Sequence, residues 1–346
     1  MTRPVLLLTR DDVATMMTPA DYLSAVENAF RATKENRASA PPPMHIHTKH
    51  GGFHAKGASI DGARNYVALK LNGNFPGNLE RNDLPTIQGA IFLCDADNGA
   101  LLAVLDSIEI TLRRTAAASA LAARHLASAE SKALAIYGCG DQGRAQAEAL
   151  AAVFPLTRAA CFDMDANKAS SFAAAMTGAL GFPFNAVGSV ADAAQAADII
   201  VTCTTTRAPF LRLEHVKSGA FIAAVGADNP DKSEIDPGLM RAASVVADSI
   251  DQCVVMGDVH HALKAGAMTR DGIHAELADI VTGGKAGRTN DSRIFIFDST
   301  GMALQDVASA ALAYERAQER GRGQPFSFSE KQTSCPLRSL TTTPAT

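Results

Sequence analysis

Ala133-Leu-Ala-Ile-Tyr-Gly138-Cys-Gly140-Asp-Gln-Gly143-Arg-Ala-Gln146 sets three glycines at a G-x-G-x-x-G spacing, after a five-residue apolar run and before an alanine-rich stretch. The spacing alone is weak, because glycine is common. Its setting makes it specific: a strand must end there and a helix must open. Gly138 permits the tight turn, Gly140 lets backbone N–H groups approach a diphosphate, and Gly143 lets helix and strand pack closely. The helix N-terminus adds free donors and its dipole to the phosphates, with Asp141 and Gln142 beside them. Asp163 ends the next strand-like run, twenty residues after Gly143. A carboxylate there accepts hydrogen bonds from the adenosine ribose hydroxyls and repels a 2′-phosphate, so NAD is expected rather than NADP. The bland reading, a structural glycine turn plus a solvated aspartate, requires strand, loop, helix and acid to fall in register by chance.

Outward from this loop the rhythm is strand and helix in alternation. Short β-rich runs at Ala133–Tyr137, Ala159–Phe162, Asp198–Thr202, Ala220–Val225, Ser244–Ala247 and Ile294–Phe297 are continuous rather than alternating, as strands covered on both faces are. Alanine-rich helical stretches lie between them at Gln142–Ala152, Ala166–Thr177 and Val190–Ala196. The fold class expected is α/β, with a Rossmann-type doubly wound parallel sheet over 119–301.

The region before it reads differently. Thr18–Thr33 opens Thr-Pro and keeps its apolar residues on one face, which predicts a capped helix. Ala38–Pro43 reads as a loop. Strand-like runs at Tyr66–Leu71, Thr86–Cys94 and Leu101–Leu105, the last two joined by the turn-rich Asp95–Gly99, predict a largely antiparallel sheet. Arg114–Leu126 is nearly all alanine, leucine and small residues, a strong helix former suited to close packing. After Gly301 a further alanine-rich helix runs to about Arg320, so the C-terminal segment is expected to complete the first domain. The domains expected are 1–118 with 302–330, then 119–301, with 331–346 a flexible tail; the chain from Gly321 onward is expected to be poorly ordered unless docked.

Composition narrows the function. The net charge of −4, with Lys and Arg spread along the chain, offers no basic stripe for nucleic acid. Tryptophan is absent, which argues against a base-stacking platform. The apolar run Val5–Leu8 is far too short for a signal region or a membrane span. Six cysteines without a CxxC pair predict free thiols and a cytoplasmic protein.

Lys70-Leu-Asn-Gly-Asn-Phe-Pro-Gly-Asn78, Leu112-Arg-Arg-Thr115-Ala-Ala-Ala-Ser119, the glycine loop, Val225-Gly-Ala-Asp228 with Lys232, and Phe297-Asp-Ser-Thr-Gly301 occur in order over about residues 5–315. Together they resemble the ornithine cyclodeaminase/μ-crystallin family. The resemblance implies an α+β substrate-binding and dimerisation domain built from both chain ends, a homodimer, and NAD used either as a redox partner or as a catalyst recycled in the site. It implies that Lys70 and Arg114 bind the substrate carboxylate, that Asp228 is the acid/base near the substrate nitrogen, and that Thr86, Arg114, Thr115, Val225, Lys232 and Ser299 join Gly138, Gly140, Asp141, Gln142, Gly143 and Asp163 around the cofactor.

The residue types suit that chemistry. Lys70 lies in an otherwise apolar strand; it either sits at an edge and snorkels or faces a ligand. Arg113 and Arg114 point about 100° apart on a helix, so at most one reaches the site, and Arg114 is the choice. Asp228 follows a strand end, although Asn229-Pro230-Asp231 also suits a turn or cap. Ser299 can bond the nicotinamide amide or simply cap the next helix.

Two departures from the family pattern bear on substrate. Pro43 stands where cyclodeaminases carry an arginine after two prolines. The stretch Gly52-Phe-His54-Ala-Lys56-Gly lacks their ornithine-holding glutamate. Lys56 is expected to replace the lost cation and His54 to reshape the side-chain pocket, which loops such as Thr48–Asn65 build. The crowding of His45, His47, His50 and His54 is read as no metal site, for want of acidic or cysteine partners. His260, His261 and His274 are read as exposed and given no role. The reading favours NAD(H)-dependent oxidoreduction of a small α-imino or α-amino acid, such as Δ1-pyrroline-2-carboxylate. The alternative is an ornithine cyclodeaminase-type lyase; a cofactor-binding protein without catalysis is the third class.

Overall fold

In the computed structural model, residues 4–328 are described. Sixteen strands run in chain order: β1 (Val5–Leu8), β2 (Ala38–Ser39), β3 (Met44–Thr48), β4 (Gly51–Ile60), β5 (Tyr66–Asn74), β6 (Ile87–Asp95), β7 (Leu101–Asp106), β8 (Ala133–Tyr137), β9 (Arg158–Phe162), β10 (Phe184–Ala186), β11 (Ile199–Thr202), β12 (Phe221–Ala224), β13 (Ser244–Ala247), β14 (Ala275–Glu276), β15 (Phe295–Asp298) and β16 (Gln324–Phe326). They form two sheets.

The second half folds into a wholly parallel sheet of order β10-β9-β8-β11-β12-β15-β13-β14. Strands β8, β11, β12 and β15 are buried along their whole length, and a separate apolar cluster covers each face. That double cover is why these strands read as continuous apolar runs. The strand order reverses at β8, between β9 and β11, so the crevice beyond the carboxyl ends of β8 and β11 is the expected ligand site of such a sheet.

The other sheet has the order β16-β1-β7-β6-β5-β4-β2, with β3 hairpinned onto β4. It is antiparallel except where β1 runs parallel to β7. In β5 the side chains alternate: Tyr66, Ala68 and Lys70 are buried, while Val67, Leu69 and Leu71 are 38%, 48% and 36% exposed. The buried face is covered by the helices Ser107–Leu126 and Ala303–Arg320. The other face stays open and apolar.

The helix Pro19–Lys34 begins at Thr18 with a reciprocal cap to Asp21, as its Thr-Pro start predicts. The helix Ser107–Leu126 packs against it, against Asp141–Ala151 and against Ala303–Arg320, and one apolar core runs through it into the parallel sheet. Small side chains make this close approach possible.

Several expectations are corrected. Thr48–Asn65 is mostly the ten-residue strand β4, whose alternation is hidden by Gly51, Gly52 and Gly57. The stretch Ala38–Pro43 includes the short β2. The helix expected from Arg114 starts seven residues earlier at Ser107, because Asp106 caps it by accepting from Ile108 and Glu109 N–H. From Gly321 the chain is not loose throughout: β16 pairs antiparallel with β1, Leu6 opposite Pro325. The tail assignment 331–346 and Cys335 lie outside the described residues. The five described cysteines are free thiols, and among the described residues no helix is long and apolar enough to cross a membrane.

Candidate active site

The glycine loop joins β8 to the helix Asp141–Ala151. Gly138 has φ of 100°, and a Cβ there would lie 2.7 Å from the Cys203 carbonyl. A Cβ on Gly143 would lie 2.3 Å from the Gly138 carbonyl, so helix and loop touch backbone to backbone. Gly140 differs: a Cβ there would meet no atom within 4 Å. Gly140 is also the helix N-cap and brings no side chain to the first-turn donors. The cradle is therefore open on the side a diphosphate would take. Asp163 accepts from Cys139 N–H at 2.9 Å and from Asp165 N–H at 3.1 Å, with Lys168 Nζ 3.3 Å away. Burial opposes its ionisation, but these donors prevail and hold its carboxyl below the usual range. Gln142 Nε2 and Ser299 Oγ are among the buried polar atoms that have no hydrogen-bond partner. These features fit a bound dinucleotide.

A cluster of charge lies beneath the antiparallel sheet. Lys70 and Arg114 are both 5% exposed, and both pair with one carboxylate, Asp306. Asp306 Oδ2 stands 2.7 Å from Lys70 Nζ, and Oδ1 accepts from Arg114 Nε at 2.9 Å. Arg114 also donates to Gln305 Oε1 at 3.0 Å. Burial pulls the Lys70 ammonium down to about 7, against the opposing pull of Asp306. Burial likewise opposes the charge on Asp306, yet Lys70 and Arg114 outweigh it and hold its carboxyl below the usual range. Arg113 turns the other way, to Glu109 and Glu148.

Lys56 faces Lys70 directly across β4 and β5. Its Nζ donates to the carbonyls of Gly301 at 2.8 Å and Thr300 at 3.5 Å. That loop follows β15 and is held from below by Asp248, which accepts from Thr300 Oγ1 at 2.9 Å and from Gly301 N–H at 2.6 Å. The charge cluster thus meets the carboxyl end of the parallel sheet at Gly301.

Asp228 follows β12, is largely exposed, and accepts from Lys232 Nζ at 2.8 Å. Its loop is braced by buried Glu234, which accepts from Thr202 Oγ1, Thr204 N–H and Gly226 N–H at 2.6–2.8 Å. Burial pushes the Glu234 carboxyl up. The His261 ring lies 2.9 Å from the Lys232 carbonyl, so His261 is a half-buried brace rather than an exposed residue; His260 is half-buried too, against the Val254 carbonyl, and His274 is exposed. His54 stacks edge-on with His45, ring centroids 4.6 Å apart, across the β3–β4 hairpin. Burial and then His45 lower the His54 pKa, while the charge of Asp228 raises it. Among the described residues no three His, Cys, Asp or Glu side chains gather as a metal site.

Thr115 is buried one residue beyond Arg114, and Val225 is buried, its N–H on the Thr202 carbonyl. Thr86 is exposed just before β6, where only its backbone carbonyl is engaged, by Phe75 N–H. The residues that sequence reasoning missed are Asp306, Asp248 and Glu234. Asp306 sits in the first turn of an alanine-rich helix, where an acid reads as a dipole partner; nothing local distinguishes it from one.

A model of the ornithine cyclodeaminase/μ-crystallin family matches residues 4–321. An archaeal alanine dehydrogenase, solved as a dimer with bound NAD, superposes with a TM-score of 0.89 at 33% identity, over 94% of this chain and 99% of that one. The Δ1-pyrroline-2-carboxylate reductase of Thermococcus litoralis, solved with NADH and L-proline, gives 0.88 at 32% identity, over 92% and 99%. The iminosuccinate reductase of Paracoccus denitrificans, solved with NAD+, gives 0.88 at 33% identity, over 94% and 100%. The glycine loop on a doubly wound sheet and the buried cations beside it define an α/β protein of the dinucleotide-binding class. Within that class, this chain belongs to the ornithine cyclodeaminase/μ-crystallin family.

Proposed function

We propose that this chain catalyses NAD(H)-dependent oxidoreduction of a small α-imino or α-amino acid. The observation that carries the proposal is the buried Lys70–Asp306–Arg114 cluster, abutting the carboxyl end of the parallel sheet at Gly301. Two cations sharing one carboxylate keep a net positive charge for a substrate carboxylate, and charge-assisted bonds are short and directional. A bound nicotinamide supplies or accepts the hydride. Lys70 and Arg114 fix the substrate carboxylate and so the position of the neighbouring carbon. Asp228 exchanges the proton at the substrate nitrogen, with Lys232 paired to its carboxylate at 2.8 Å. The glycine loop with Asp141 and Gln142 takes the diphosphate, Asp163 the ribose hydroxyls, and Ser299 Oγ the nicotinamide amide, with Thr115 and Val225 lining the cofactor. Thr86, exposed just before β6, also contacts the cofactor in this reading. NAD-bound relatives at about one-third identity support the cofactor.

The working form is a homodimer. Val67, Leu69, Leu71 and Phe92 form an open apolar sheet face of the kind that marks protein contacts, and the archaeal alanine dehydrogenase is a dimer. L69K is expected to give monomers by sedimentation velocity; an unchanged dimer moves the interface elsewhere.

The reaction is tested by following NADH absorbance and ammonia together. Stoichiometric NADH consumption with Δ1-pyrroline-2-carboxylate or ammonia-derived imines is the expected result. Ammonia and proline from ornithine without net NADH change would establish the lyase instead. Pro43 and the missing carboxylate near His54 weigh against that second reading. No turnover across the panel overturns both.

A further inference from the structure

We infer that Glu234 is a positioning residue for proton transfer: as a carboxylate, and only as one, it fixes the loop that carries Asp228. The inference rests on the reading of Asp228 given above and goes further by naming the group that sets where Asp228 stands.

The argument is one of donors and acceptors. Glu234 is fully buried, and its carboxylate is met by four neutral donors. Oε1 accepts from Thr204 N–H at 2.6 Å and from Thr204 Oγ1 at 2.7 Å. Oε2 accepts from Gly226 N–H at 2.8 Å and from Thr202 Oγ1 at 2.7 Å. Each oxygen thus takes one hydroxyl, which can rotate, and one backbone N–H, which cannot. Thr202 ends β11 and Gly226 lies just past β12, so the carboxylate bridges two neighbouring strand ends. It packs on bare backbone, since a Cβ on Gly226 would lie 2.5 Å from both the Glu234 carboxyl and the Thr204 carbonyl. Glu234 is itself held, because Asp258 Oδ1 accepts from its N–H at 2.8 Å and from that of Ile235 at 3.0 Å.

Asp228 needs such an anchor. Its side chain is 56% exposed, so little packing of its own fixes it. Its N–H bonds back to the Gly226 carbonyl at 3.0 Å, on the residue whose N–H Glu234 holds. The groups proposed for substrate and cofactor are held elsewhere. Lys70 and Arg114 are set by Asp306. The end of β8 is tied by Gly138 N–H on the Phe162 carbonyl and by Cys203 N–H on the Tyr137 carbonyl. A fault at Glu234 therefore falls on the Asp228 loop. Glutamine is the sharpest such fault. It has the same shape, yet whichever way its amide lies, its NH2 group meets the N–H of Thr204 or of Gly226, and a buried donor is left unpaired.

The test uses the full-length chain and the single-turnover rate of NADH oxidation, read by stopped flow with the imine turned over best in the panel above. E234Q is expected to slow that step by about 10- to 100-fold, the effect of misplacing a reacting group by up to about 1 Å. Half-saturation by the imine, and NADH affinity by calorimetry, stay within about threefold of the wild type. In hydrogen-exchange mass spectrometry, residues 226–232 exchange faster in E234Q and the glycine loop at 138–146 does not. In a D228N background, E234Q costs less than about twofold more, because the two residues act as one unit. A wild-type rate in E234Q, a parallel loss of NADH affinity, or a full multiplication with D228N overturns the inference and leaves the proposed function standing. If E234Q does not fold, T202V, which loosens the same carboxylate, must slow the step severalfold at unchanged NADH affinity; a wild-type rate there overturns the inference. If D228N turns over like the wild type, the role of Asp228 falls; if no imine reacts, the proposed function falls. In either case the exchange at 226–232 still decides whether Glu234 holds that loop.

Discussion

The glycine loop and the cation cluster are both built for anions, yet they are made in opposite ways. The loop spends backbone. Its donors are N–H groups, its shape comes from Gly138 and Gly143, and Asp163 reaches it from the next strand. The cluster spends side chains. Lys70 and Arg114 meet an aspartate on a helix that follows the whole parallel sheet, 192 residues beyond Arg114; Lys56 meets a carbonyl 245 residues away. A backbone cradle binds any diphosphate and needs little from the rest of the chain. A cluster of buried charges, in the role proposed for it, fits one small carboxylate geometry and depends on the complete fold.

The difference is broken most severely at Asp306. D306A leaves two buried cations without their carboxylate, so a stability loss of about 3–5 kcal/mol is expected by urea unfolding, with loss of turnover. A loss below about 1 kcal/mol would mean the pair is not stabilised as described. The loop responds otherwise. G140A adds a methyl where no protein atom lies within 4 Å, so the unfolding midpoint should hardly move while NADH affinity falls about tenfold or more, read by calorimetry. A variant that binds NADH like the wild type removes Gly140 from the cradle.

Proton control sharpens the contrast. Lys70 is pulled down to about 7, and a carboxylate is held by the ammonium form, which predominates below that pH. The kcat/KM for an imino acid should therefore fall as pH rises through about 7. Asp306 raises the Lys70 pKa, so D306N moves the falling limb to lower pH; an unmoved limb assigns the titration to another group. Smallest is the effect of D163N. Removing the ribose-side charge should change the NAD-to-NADP affinity ratio by a few-fold towards NADP, about 1 kcal/mol or less. No change in the ratio would leave Asp163 as a loop brace through its bond to Cys139.

Six strands of the parallel sheet could be read from residues 133–298, because β8, β11, β12 and β15 are covered on both faces; β10 and β14 at its edges were missed, being only three and two residues long. Strand β4 was missed because its glycines erase the alternation. Strand β16 was missed because a proline-containing segment pairs only when β1 is beside it. Helix geometry showed that at most one of Arg113 and Arg114 reaches the site, the choice of Arg114 rested on its place before Thr-Ala-Ala, and the structure turns the two to opposite sides, one to Asp306 and the other to Glu109 and Glu148. Asp306, Asp248 and Glu234 had no local signature, since each acts on partners outside its own element.

The sequence by itself determined the dinucleotide cradle, because backbone conformation and short-range spacing suffice to build it. Only the tertiary structure decided which acid answers the buried cations, because charge balance is a property of neighbours in space. The chain brings Lys56, Lys70, Arg114 and Asp306 together only after β4, β5 and two distant helices have packed.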